Sequence, residues 1–133
     1  MSKSDGDNNS KILLTTPPDQ IRLRIARALT DSFDGVYASP ERPGVTNLLQ
    51  VLAAFENATI EELEKEVGDW SLRNFKERVA ETIVSSLRGI QERYQEVQGN
   101  KSWLEEVRNE GNERARQIAY ERISLIKSVV GLR

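Results

Sequence analysis

Histidine and cysteine are both absent from the 133 residues, which removes the commonest general base and the thiolate nucleophile. Any chemistry must rest on Lys, Arg, Asp, Glu, Ser or Tyr. No Ser-His pair, HExxH run, glycine-paired phosphate loop or metal-ligand spacing can be read in the chain. Asp31 with Glu41, or Asp34 with Glu41, could be drawn as paired carboxylates, but acids in a polar loop are ordinarily solvated and they are given no role. Met1-Ser2-Lys3-Ser4-Asp5 sets an ammonium between two hydroxyls, and taken alone it reads as an ordinary polar terminus.

The elements that would have to position such groups are bounded by composition. At 133 residues and 38% hydrophobic content there is material for one compact domain, too little for a nucleotide-binding domain plus a separate substrate domain. No run approaches the roughly 18 apolar residues of a membrane span, and the N-terminus lacks the apolar core of a secretory signal. A soluble product with no membrane partner is expected. With 19 basic against 21 acidic residues the formal charge is −2, so no broad field draws the chain to DNA, although a local RNA contact is compatible with it.

Residues 1 to about 16 are polar apart from Ile12, Leu13 and Leu14, which reads as a flexible loop anchored at one apolar point. Thr16-Pro17-Pro18-Asp19 predicts a helix start, with Thr as cap and proline in the first turn. Ile21, Ile25, Ala28 and Leu29 then form an apolar face, with Arg22, Arg24 and Arg27 off it, toward water or a partner. Residues 31–44 read as an irregular connection. A second, central helix follows through Leu48, Leu49, Val51, Leu52 and Phe55.

Thr59-Ile60-Glu61-Glu62 matches a capping box and predicts a short third helix ending near Gly68. Leu72, Phe75, Val79, Ile83, Leu87, Ile90, Tyr94 and Val97 recur every three or four residues and predict a long helix, the spine of the fold, with all eight buried. A second capping box, Ser102-Trp103-Leu104-Glu105, predicts the start of a last helix, with Ala115, Ile118, Ala119, Arg122, Ile126 and Val129 on one face. No strand pattern or internal repeat is visible. The fold class is all-α, a helical bundle of about five helices with a flexible N-terminal loop.

The order of these pieces carries a resemblance. Ser2-Lys3-Ser4-Asp5, a loop closing on Ile12-Leu13-Leu14, and Ala28-Leu29-Thr30-Asp31-Ser32 resemble the stretch leaving the KMSKS loop of tryptophanyl-tRNA synthetases. Arg42-Pro43-Gly44-Val45-Thr46-Asn47-Leu48-Leu49 resembles that family's Pro-Gly-Val/Ile-Ser-Asn-Leu-Leu segment, with Ile60-Glu61-Glu62-Leu63-Glu64 at the expected distance. Phe75-Lys76, Ala80 and Ile90-Gln91-Glu92-Arg93-Tyr94 are similar to its long helix. Leu104, Val107, Gly111, Glu113, Ala115-Arg116 and Gly131-Leu132 are similar to its last helices. Each piece is weak alone, but together they span essentially the whole chain in order.

The resemblance implies the C-terminal portion of a class I ligase that activates tryptophan with ATP and transfers it to tRNA(Trp). It implies residues 1–16 as the KMSKS-loop remnant and linker, and residues 17–133 as the helical, anticodon-binding-type domain. Lys3 matches the second lysine of the motif, which with Mg²⁺ stabilises charge on the leaving pyrophosphate. Met1, Ser2, Lys3 and Ser4 are then the ATP-contacting positions. The first lysine of the motif has no counterpart before Met1, and Gly-Asp-Asn-Asn follows Asp5 where the family often has proline.

The Rossmann-type catalytic domain of the family has no counterpart either, so the isolated chain is expected to be inactive, with no tightly bound cofactor. Full-length members are homodimers. Local sequence resembles mitochondrial members, implying the mitochondrial matrix, with bacterial cytoplasm as the alternative. The other function compatible with the residues is a helical tRNA- or protein-binding module without ligase activity.

Overall fold

The computed structural model describes residues 11–132. Among them are five α-helices and no strand: α1 (Pro18–Arg27), α2 (Pro43–Glu56), α3 (Ile60–Val67), α4 (Leu72–Gly99) and α5 (Lys101–Val130). The all-α expectation with five helices is met. Of the expected N-terminal loop, residues 1–10 lie outside the described residues.

The chain divides into two units, the first ending at Glu92 and the second beginning at Arg93. The first holds a single core. Ile21 and Ile25 of α1, Val45, Leu48, Leu49 and Leu52 of α2, and Leu63 and Val67 of α3 meet Phe75, Val79, Ala80, Ile83, Val84 and Leu87 of α4, with Val36 added from a loop. The three- and four-residue spacings put each set on one helical face, and full burial of each large side chain contributes roughly 1.5–3 kcal/mol.

The buried stripe of α4 stops at Leu87. Ile90 and Tyr94 are 50% and 49% exposed, and Val97 is only half-buried, contrary to the expectation of eight buried positions. The reason is length. At about 1.5 Å per residue α4 runs roughly 42 Å, whereas α2, the longest helix packed on it, runs roughly 21 Å. Where α4 is covered, Ala80 and Val84 widen the stripe because more than one helix packs on it. Phe55 of α2 and Leu29, read as core-facing, are likewise exposed, Leu29 because α1 has already ended at Arg27.

The caps divide into expected and displaced ones. Thr59 Oγ1 accepts from the Glu62 N–H while Glu62 Oε2 accepts from the Thr59 N–H, the reciprocal box read in the sequence. The α1 N-cap is Pro17 and makes no side-chain cap bond. Thr16 instead faces back into the preceding turn. The α5 cap is Asn100, whose Oδ1 accepts from the Trp103 N–H at 3.2 Å. Ser102 is already in the first turn and donates to the same oxygen.

The connection between α1 and α2 is built around a buried guanidinium. Arg42, 1% exposed, donates through Nε and Nη2 to the two Asp31 carboxylate oxygens, to the Gly35 carbonyl from both terminal nitrogens, and to the Phe33 carbonyl. Its carbon lies 4.2 Å from the Tyr37 ring centroid and 5.8 Å from that of Phe33. Gly35 sits at φ +75°, and a Cβ there would meet the Gly68 carbonyl at 2.9 Å. The next residue, Val36, donates its N–H to that same carbonyl and seats its side chain in the core.

Arg78 of α4 grips two further helices. It donates to both carboxylate oxygens of Glu56, at the end of α2, and to both of Glu66, in α3, and lies 5.7 Å from the Trp70 ring centroid. The second unit contains the end of α4 and α5. No described residue of α5 is buried, although its apolar residues recur along the helix as the sequence indicates.

Candidate functional site

Met1, Ser2, Lys3 and Ser4 lie outside the described residues, so the site is approached from where that segment joins the fold. The junction is residues 11–16. Ile12 packs against the core, while Leu13 and Leu14 are 56% and 60% exposed, so the apolar anchor is one side chain, not three.

Polar bonds complete the attachment. Thr16 is buried, its hydroxyl accepting from the Leu13 N–H at 2.8 Å and its own N–H donating to the Leu13 carbonyl at 2.9 Å. This closes a tight turn and explains why Thr16 is not available to cap α1. Gln91 Nε2 donates to the carbonyls of Leu14, at 3.0 Å, and Thr16, at 2.9 Å. Gln91 lies one turn beyond buried Leu87, so it stands on the same face of α4. Arg24 Nη1 donates to the Lys11 carbonyl at 2.7 Å, and its Nε is buried without a partner among the described residues.

Of the three arginines read as facing water or a partner, Arg24 is therefore spent on the chain's own backbone. Arg22 pairs with Glu81 of α4 and with Asp19, which holds the Glu81 carboxyl below its ordinary value. Arg22 and Glu81 edge a groove between α1 and α4 that Arg73, Lys76 and Glu77 also line. Lys76 donates to the Ala28 carbonyl. The groove carries three cations against two carboxylates, so its field is weak.

Asp31, Asp34 and Glu41 do not form a carboxylate pair for chemistry. Asp31 is held by Arg42, whose hydrogen bonds keep the Asp31 carboxyl below the usual carboxylate range. Among the described residues no group of three or more acidic side chains is placed to hold a metal ion. No described helix is long and apolar enough to cross a membrane.

No protein-family model matches the chain. Individual proteins do, along nearly its full length. The tryptophan–tRNA ligase of Nostoc sp. is 38% identical over 132 residues, covering 98% of this chain and 39% of that protein. That of Clostridium perfringens is 38% identical over 132 residues, covering 99% and 40%. The crystal structure of tryptophanyl-tRNA synthetase from Mycoplasma pneumoniae matches with a TM-score of 0.68 at 27% identity, covering 100% of this chain and 41% of that one. Along nearly its full length the chain is similar to tryptophanyl-tRNA synthetases.

Among its tryptophanyl-tRNA synthetase relatives is a mitochondrial tryptophan–tRNA ligase of Dictyostelium discoideum, 35% identical over 133 residues, covering 99% of this chain and 35% of that protein. The chain spans about two fifths of the length of the curated relatives it matches. Gln91 and Arg24, which tie the junction to the helices, are absent from the functional residues legible in the sequence. Their acceptors are backbone carbonyls, which every residue carries.

Proposed function

We propose that this chain is the C-terminal part of a tryptophan–tRNA ligase, with residues 1–16 as the ATP-loop remnant and linker and residues 17–133 as the helical, anticodon-binding-type part. The observation that supports this is the match of 98% of the chain, at 38% identity, to a protein of that name. The parent reaction has two steps. The tryptophan carboxylate attacks the α-phosphorus of ATP, forming the mixed anhydride and releasing pyrophosphate. A hydroxyl of the terminal adenosine of tRNA(Trp) then takes the aminoacyl group and releases AMP.

Lys3 suits the first step. A lysine ammonium is a compact point charge, and set where negative charge grows on the departing pyrophosphate it lowers the barrier more than it stabilises bound ATP. The Ser2 and Ser4 hydroxyls and the Met1 backbone would contact the same triphosphate. Mg²⁺ would neutralise phosphate charge in parallel. Exposed basic side chains of the helices are the candidate tRNA phosphate contacts.

The parent enzyme is proposed to be a homodimer, and its compartment the mitochondrial matrix, as the Dictyostelium relative's name suggests, with bacterial cytoplasm as the alternative given the bacterial relatives. The 133 residues alone are expected to be inactive.

The nucleotide sequence directly upstream of the Met1 codon tests the reading. An in-frame Lys codon, preceded by a dinucleotide-fold pattern, supports it, and a stop codon overturns it. In the assay, tryptophan-dependent ATP–pyrophosphate exchange is expected from the extended protein. Exchange catalysed by the 133-residue chain alone would refute the account.

A further inference from the structure

We infer that α5 is a self-association surface, pairing antiparallel with the α5 of a second copy of this chain. The pairing uses only residues of α5 and stands apart from the ligase reading. None of the 30 residues of this helix is buried, yet Leu104, Val107, Ile118, Ile126 and Val129 lie exposed along it. A protein helix draws most of its stability from packing an apolar face, and a contiguous exposed apolar stripe marks a contact surface.

The spacing of the stripe selects the partner. From Leu104 it runs through positions 107, 111, 115, 118, 122, 126 and 129, at intervals of three, four, four, three, four, four and three, over about 38 Å. Those intervals read the same in either direction. Turned end for end, the stripe of a second copy therefore meets the first in register, as a two-fold interface requires. Leu104 then faces Val129, Val107 faces Ile126, and Ala115 faces Ile118, a small side chain against a large one. The remaining layer sets Arg122 against Gly111. A Cβ on Gly111 would meet nothing within 4 Å among the described residues, so packing within one chain does not require the glycine. In the pair, that space takes the arginine stem while the guanidinium reaches water at the edge.

Charge favours the same partner and the same direction. Four of the five glutamates of α5 precede residue 114, whereas four of its six basic residues are Arg114, Arg116, Arg122 and Lys127. Opposed end for end, each acidic half lies along the basic half of the other copy, and a parallel pair would set like against like. The helix macrodipole does not account for this distribution, since its effect ends within the first and last turns and Glu110, Glu113, Arg114 and Arg116 lie in the middle of the helix.

The test is made on the 133-residue chain, which contains no cysteine. Sedimentation equilibrium over the micromolar range is expected to show monomer and dimer in equilibrium. The dissociation constant should rise at least tenfold for Ile118→Glu and stay within twofold of the parent for Tyr120→Glu, on the opposite face of α5. Oxidation of Val107→Cys mixed with Ile126→Cys should give chiefly the mixed disulfide, since the antiparallel register brings those two positions together. A monomer at every concentration would overturn the pairing and leave the stripe to its own chain or to a different protein. A dimer indifferent to Ile118→Glu, or disulfides formed chiefly within each variant, would overturn it as well, by placing the contact elsewhere or the helices parallel. If circular dichroism shows that Ile118→Glu has lost helix, the disulfide result alone decides.

Discussion

Arg42 and Asp31 form a two-pronged pair, with Nε to Oδ2 at 2.9 Å and Nη2 to Oδ1 at 2.8 Å, between a guanidinium 1% exposed and a carboxylate 19% exposed. The arginine immediately precedes α2 and the aspartate follows α1 by four residues. One ion pair thereby closes the whole α1–α2 connection. Arg42→Ala would leave Asp31 and the Phe33 and Gly35 carbonyls without their donor, so a loss of about 3 kcal/mol is expected in urea unfolding. Arg42→Lys should recover only part of it, since an ammonium cannot present the same planar fork.

The pair also sets a pH dependence. Hydrogen bonds from Arg42 lower the Asp31 carboxyl, Arg22 lowers Glu81, Arg78 lowers Glu66, and the Thr59 N–H lowers Glu62. A carboxyl whose folded value lies below its unfolded value stabilises the fold at any pH above the unfolded value, near 4. That contribution disappears as pH falls through the folded value. All four have the same sign, so Tm followed by circular dichroism should hold from about pH 7 to about pH 5 and then fall toward pH 3. Asp31→Asn should start lower at pH 7 and fall less steeply.

Gly44 shows a steric requirement at the start of α2. A Cβ there would lie 2.1 Å from the Leu29 carbonyl oxygen, a backbone atom that cannot rotate away. Gly44→Ala is expected to cost at least about 2 kcal/mol by overpacking, measured by urea unfolding. Gly89, in α4 with open space around its Cβ position, is the control. There the alanine should stabilise by up to about 1 kcal/mol.

The Thr59 cap can be isolated from packing because the residue is exposed. Thr59→Ala removes the acceptor for the Glu62 N–H and should cost about 1 kcal/mol, with Thr59→Ser close to the parent. Equal stability of the alanine and parent proteins would show that water satisfies the first turn of α3 equally well.

Local signals were the legible ones. The Thr59 box, the proline start of α1 and the stripe Phe75, Val79, Ile83, Leu87 each depend on residues within a turn or two of one another. Thr16 and Ser102 were misread as caps because neighbours outside the capping pattern, Leu13 and Asn100, competed for their bonds. The burial of Arg42 has no signal in the sequence, since a charged residue beside a proline is ordinarily solvated and becomes buried only when a loop closes over it. For the candidate site, the sequence points to Lys3 through family resemblance, while nothing in it ties Gln91 or Arg24 to the backbone of residues 11–16. Nothing in a glutamine's identity says that two distant carbonyls will converge on it.

Arg78 has a consequence for how the first unit opens. The α3 helix has eight residues, fewer than the roughly 12–15 at which an isolated helix begins to persist in water. It is held by Leu63 and Val67 in the core and by Glu66 on an arginine that also grips Glu56 of α2. The short helix therefore has no private route to unfolding. Its amides are expected to exchange with solvent deuterium at the rate at which α2 and α4 let go together, as one foldon, and faster exchange confined to residues 60–67 would show that α3 opens on its own.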